Sequence, residues 1–139
     1  MSVPVWDDIV SLAAGLAAGE FSSGDLTRAY QTRIERYNPD LNAFTNVCRD
    51  EALTEAAASD ARREAGKTFG PLDGIPVAAK DNIAIKGLPW TAGMEIRRGI
   101  IATDDAFCIS KLRAAGAVVL GTLNMEEAAL GATTDNPHF

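Results

Sequence analysis

Two short apolar runs, Ile75–Ala79 (IPVAA) and Ala117–Gly121 (AVVLG), constrain this chain more than any other feature. Neither alternates apolar with polar residues. A strand of that kind is buried on both faces, which is the condition of a parallel or mixed sheet covered by helices. A helical pattern lies between them. Thr103 or Asp104 reads as its cap, Phe107, Cys108, Leu112 and Ala115 as its inner face, and Gly116 as its stop. Between the first run and this helix, Ile83–Ile85 reads as a short extra strand ended by Gly87 and Pro89, and TAGMEIRRGI as irregular chain. After the second run, Asn124 and Glu127 read as a capping pair for a helix over Met125–Leu130.

Ahead of Gly66 the texture differs. Ile9, Leu12, Ala13 and Leu16 recur at helical spacing, which predicts a helix over Val5–Ala18 with Asp7 and Asp8 in its first turn and Gly19 as its stop. Ser22 and Asp25 predict a capping box for a second helix, striped by Leu26, Ala29, Tyr30, Ile34 and Tyr37 and ended at Asn38–Pro39. Leu41–Asn46 reads as a connector. A third helix, from about Arg49 to Ala65, shows a narrow face of small residues: Ala52, Leu53, Ala56, Ala57 and Ala61. The expected organisation is a helical layer over 1–66 and the first strands and helices of an α/β sheet over 67–139, folded as one domain. Two or three strands make a poor sheet whose edges need cover, so this reads as the beginning of a larger fold.

Charge and composition narrow the functions. With 13 Lys and Arg against 19 Asp and Glu, the net charge of −6 disfavours nucleic acid and anionic membranes as partners. No apolar run approaches the roughly 20 residues that span a bilayer. The N-terminal MSVPVWDDIV carries acids where a secretion signal carries bases, so a cytoplasmic location is expected. Cys48 and Cys108 stand far apart and read as two buried, reduced thiols. The only histidine, His138, is the penultimate residue, so a histidine-based catalytic triad within this chain would have to depend on it. A mononucleotide site would need a glycine-rich phosphate loop after a strand, and GTLNMEE offers one glycine and two acids instead.

The remaining puzzle is GPLDGIPVAAKDNI (70–83), whose apolar strand delivers Lys80 into Asp81–Asn82. Either Lys80 reaches for solvent where the strand leaves the sheet, or its amine is kept partly desolvated so that the neutral form can take a proton. This block, followed by KGLPWTAGM, then DDAFCISKLRAAGAVVLGTLNMEEAALG and DNPHF, resembles the amidase signature family, and the resemblance runs from the LAAGEFSSGDL region to Phe139. It implies an α/β fold in which N-terminal helices pack on the start of a mixed α/β/α sandwich sheet, incomplete relative to the whole family fold. It implies carboxamide hydrolysis by a Ser–cis-Ser–Lys triad, with Lys80 as the base and with no cofactor or metal. The substrate implied for the whole enzyme is a small-molecule or peptidyl amide.

The same resemblance marks a departure. The family's two serines lie in a Gly/Ser-rich segment, and nothing of that kind occurs in these 139 residues. Ser22 and Ser23 belong to a helix start, and Ser59 and Ser110 to helices. The expectation is therefore a chain that carries the lysine and is inactive alone. The alternative is a truncated or split chain that self-associates or pairs with a partner supplying the serines and covering the sheet edges. GTLN at 121–124 also differs from the family's common GKTN. Asp81 and Asn82 either shape the lysine's loop or are plain turn formers. Gly93 and Met94 are expected to border the substrate, and Met125 and Glu126 to line the approach to the site. Glu126 reads equally as a first-turn helix acid, and Trp90 as either a pocket wall or a covered core edge.

Overall fold

The computed structural model describes residues 3–139. It contains helices α1 (Ile9–Ala18), α2 (Ser23–Leu41), α3 (Arg49–Glu64) and α4 (Phe107–Ala114), and strands β1 (Phe44–Val47), β2 (Pro76–Lys80) and β3 (Val118–Leu123). The sheet order is β1–β3–β2. β2 runs parallel to β3 through the α4 crossover, and β1 runs antiparallel to it. The sheet is thus mixed, with helices on both faces.

β3 decides the layering. Val118 and Leu120 face Ala52 and Ala56 of α3, while Val119 joins Ala79, Ile85 and Ile109 on the α4 side. The alternation of side chains along a strand sends successive residues into opposite layers, so a wholly apolar strand is what two helical layers demand. Small residues on α3 let it lie close to the sheet. A third cluster joins Leu12 and Leu16 of α1 to Leu26 of α2 and Ile75. Gly121 sits at φ 145°, where an added Cβ would stand 2.0 Å from the Asn46 carbonyl oxygen. Only glycine lets β1 approach β3 there.

Several elements depart from the sequence reading. β2 is not buried on both faces as the run IPVAA suggests: Ile75 and Ala79 are buried, but Ala78 is exposed, because β2 is an edge strand paired only with β3. α1 begins at Ile9, because Asp8 caps it by accepting from Ser11 N (2.8 Å), so neither Asp7 nor Asp8 lies in the first turn and Ile9 is exposed. The capping box of α2 forms as expected. Pro39 does not end that helix: it sits in the last turn, the helix runs to Leu41, and Asn42 in the left-handed conformation closes it. Part of the expected connector is a strand, because β1 gains backbone partners only when β3, far away in sequence, is beside it. Ile83–Ile85 is loop: Ile83 N donates to Lys80 O (2.8 Å), which turns the chain as soon as β2 ends, and Ile85 packs into the α4 cluster. Neither Thr103 nor Asp104 caps α4, whose N-cap is Ala106. Its Phe107 and Cys108 are exposed, and Ile109 is the residue it buries. No helix spans Met125–Leu130; only a single 3-10 turn forms at Glu127–Ala129. Asn124 instead accepts from Met125 N and donates to the Asn42 and Phe139 carbonyls. Among the described residues, no helix is long and apolar enough to cross a membrane.

Candidate active site

Parallel strands place their carboxyl ends on one side, and in open α/β sheets that side carries the ligand sites. Lys80 is the last residue of β2 and pairs with Leu123, the last residue of β3. The loop after β2 and the segment after β3 therefore leave the sheet together. Ala79 points into the α4 cluster, so Lys80 projects to the other face, where it is exposed. None of the ion pairs among the described residues involves its amine.

Asp81 does the opposite. It is 1% exposed, and its carboxylate accepts from Thr91 N (3.3 Å) and from the Thr91 hydroxyl. That hydroxyl in turn accepts from Gly93 N (3.1 Å), and the Asp81 carbonyl accepts from Ala92 N (3.2 Å). With Asp81 N donating to Leu123 O (3.0 Å), one residue fastens the 91–93 segment to the end of the sheet directly behind Lys80. Asn82 points to solvent.

The other expected site residues gather at the same edge. Gly93 is buried and Met94 half-buried. Met125 is buried, and its carbonyl accepts from Asn136 Nδ2 (2.8 Å). Glu126 is turned back on the C-terminal segment, accepting from Thr133 Oγ1 and Asp135 N (both 3.2 Å). Trp90 is half-buried and lies under the Arg97 guanidinium, 4.2 Å from the ring centroid. A cleft of about 550 Å³ opens beside this edge, between the end of β3 and residues 133–139; Lys80 does not line it.

The serines lie elsewhere. Ser23 is buried and donates to Gly74 O (2.8 Å), and an added Cβ on Gly74 would meet Ser59 Oγ, so both serines sit at the amino end of β2. Six residues of extended chain, roughly 20 Å, separate that end from Lys80. Ser22 caps α2 and Ser110 is exposed on α4. His138 lies near Glu127 (3.6 Å) and Glu95 (4.0 Å). No group of acidic, histidine or cysteine side chains among the described residues is placed to hold a metal ion.

Three residues at the two ends of β2 escaped the sequence reading. Thr91 anchors Asp81, Asn136 ties the C-terminal segment to Gly93 and Met125, and Asp73 holds the start of β2. The only local signals were turn-forming contexts, GPLDG and DNP, which are indistinguishable in sequence from ordinary turns.

Known proteins share this fold and much of this sequence. A family model described as Amidase matches residues 25–139. A glutamyl-tRNA(Gln) amidotransferase subunit of Acidothermus cellulolyticus is 46% identical over 130 residues, which is 94% of this chain and 26% of that protein. The corresponding subunit of Chloroflexus aurantiacus is 44% identical over 131 residues. Among solved structures, a chain from a vestigial complex that bears on the origins of an s-triazine catabolic enzyme superposes with a TM-score of 0.91 at 39% identity, covering 96% of this chain and 29% of that one. The peptide amidase of Stenotrophomonas maltophilia superposes with a TM-score of 0.82 at 40% identity, covering 91% and 26%. The chain thus spans about a quarter of the length of the curated relatives it matches.

Proposed function

The chain belongs to the amidase signature family, and we propose that it supplies the lysine base of an enzyme that hydrolyses a carboxamide C–N bond. The observation that carries this reading is the placement of Lys80. It ends an edge strand parallel to the buried β3, projects from the carboxyl edge of the sheet, and is backed by a loop that Asp81 and Thr91 hold in place. An amide is a poor electrophile, so the attacking hydroxyl must be relieved of its proton, and a neutral amine at a fixed position can take it. In the Ser–cis-Ser–Lys arrangement the proton passes from the nucleophilic serine through a bridging serine to Lys80. The amide nitrogen takes that proton back through the relay and leaves as ammonia or amine as the C–N bond breaks. The acyl group stays on the first serine, and water, deprotonated by the same relay, then releases it as the acid.

Both serines and the oxyanion donors come from sequence other than these 139 residues. The serines of α2 and α3 lie in capping or packing positions, with Ser23 and Ser59 at the far end of β2. The isolated segment is therefore inactive. Gly93, Met94, Asn82 and the Met125–Glu126 segment form the near wall of the substrate site. The substrate is a small-molecule or peptidyl amide.

The test joins this segment to the remaining part of the Acidothermus relative and follows ammonia release from a panel of carboxamides. The joined enzyme turns over; Lys80→Ala and Lys80→Arg lose activity by at least about 10³-fold, the scale on which loss of a base and its relay is felt. Full activity in either variant rejects Lys80 as the base. A second reading rests on the open outer edges of β1 and β2 among the described residues: a separate polypeptide covers them and contributes the serines. Co-purification of a serine-bearing chain with the 139-residue protein distinguishes it.

A further inference from the structure

Three stretches of chain meet at the sheet edge that carries Lys80, and one side chain joins all three. The Asn136 amide makes four hydrogen bonds. Its Nδ2 donates to Gly93 O (2.9 Å) and to Met125 O (2.8 Å), and its Oδ1 accepts from His138 N (2.8 Å) and Phe139 N (3.2 Å). Both donors are committed, one to the loop after β2 and one to the segment after β3, while the oxygen fixes the C-terminal turn. The fit is close: a Cβ added to Gly93 would lie 2.6 Å from Asn136 Nδ2 and 3.0 Å from Met125 O. Gly93 also stands at φ 69°, so glycine is required there for space as well as for conformation.

From Gly93 the connections lead straight back to the lysine. Gly93 N donates to Thr91 Oγ1, Thr91 donates to the Asp81 carboxylate, and Asp81 follows Lys80 in the chain. Ala92, beside Gly93, accepts from Ala128 N (2.9 Å), a second tie to the post-β3 segment. We propose that Asn136 is a positioning residue for the amide-hydrolysing site: its two N–H donors set the spacing between the loop that backs Lys80 and the Met125–Glu126 wall. The proposal rests on the reading of Lys80 as the base. No other side-chain type does this job. Aspartate keeps the size and the acceptor oxygen but turns an anion toward two carbonyls. Glutamine is a methylene too long for the slot against Gly93. Alanine leaves two carbonyls and two N–H groups without their partner.

The test uses the enzyme that carries this segment, with kcat and KM measured per folded molecule, the folded fraction taken from near-UV circular dichroism of the monodisperse peak. Asn136→Asp and Gly93→Ala disturb the same contact from its two sides. Each lowers kcat by about 10²-fold, the effect of roughly 1 Å of misplacement at a reacting centre, and changes KM by less than about threefold. Leu12→Ala, which lowers stability from the distant α1 cluster, leaves kcat per folded molecule unchanged. Wild-type kcat in folded Asn136→Asp overturns the proposal. So does failure of both variants to yield folded enzyme, because Asn136 would then hold the fold and not the site. If Lys80→Ala is fully active, the underlying reading fails. If Lys80→Ala is dead while Asn136→Asp is unimpaired, only the present inference fails.

Discussion

Removal of the Asp73 carboxylate tests how β2 is held in place. Asp73 is fully buried in the turn before β2. It accepts from Arg62 Nη2 (2.6 Å), Arg62 Nε (3.1 Å) and Phe69 N (2.9 Å), and Arg63 donates to its carbonyl (2.9 Å). The same carboxylate leaves room only for glycine at 116, the residue whose carbonyl receives Gly74 N (2.8 Å) as the β2–β3 pairing begins. Breaking one side of a buried pair costs about 3–5 kcal/mol. The Arg62 side chain keeps 24% of its exposure and so recovers some hydration, which puts Asp73→Ala near the lower end, about 3 kcal/mol. With a urea m-value of about 2 kcal/mol/M, the unfolding midpoint falls by about 1.5 M. Arg62→Ala leaves the fully buried Asp73 carboxylate without its cation and costs more, toward about 5 kcal/mol. The double variant costs well below the sum, since neither charge is then left alone.

The pH dependence follows from the same contacts. Burial pushes the Asp73 carboxyl up, but the Arg62 hydrogen bonds and the Phe69 N–H outweigh it and hold the group below its ordinary value. A depressed folded value means the contribution is complete above the unfolded value near 4 and is lost as pH falls through the folded value. The gap between wild type and Asp73→Ala therefore closes in acid. A midpoint shift below about 0.3 M at pH 7, or strictly additive single variants, refutes the reasoning.

Other perturbations probe the site edge and the sheet. Thr91→Val removes a buried hydroxyl from Asp81 and is expected to cost about 1–3 kcal/mol by urea unfolding; no change would mean that the loop is held by its backbone alone. Gly121→Ala drives a methyl into the Asn46 carbonyl in a backbone conformation that suits glycine, so overpacking and strain together cost about 4 kcal/mol and lower Tm by about 10 °C or more. A Tm within about 3 °C of wild type would show that β1 is free to move away. Cys108 is exposed, whereas burial pushes the Cys48 thiol up. Ellman's reagent is accordingly expected to titrate one thiol in the native protein and the second only after denaturation; two equivalents in the native protein would contradict the placement of Cys48.

Much of the site was legible because its signals are local. Lys80 is marked by an apolar strand that ends in a charge, although the unbroken run IPVAA overstates the burial of that strand, which keeps Ala78 exposed at the sheet edge. The Ser22–Asp25 capping box and the Gly19 stop were equally legible, since each bond spans only a few residues. Asn124 and Glu127 show where local reading fails. Their spacing suits a cap, but Asn124 is taken by Asn42 and Phe139, which sequence does not place beside it.

From its sequence alone the chain determined the order of its four α-helices, the burial of β3, and the residue type at the end of β2, because hydrophobic periodicity and caps act over one or two turns. Only the tertiary structure decided that Phe44–Val47 is a strand, that Asp81 faces inward while Lys80 faces out, and that Asn136 joins three segments. Each of those depends on a partner 10 to 79 residues away. A backbone group or a buried amide takes its role from whichever partner the fold brings within about 3 Å, and that choice is made by packing, not by propensity.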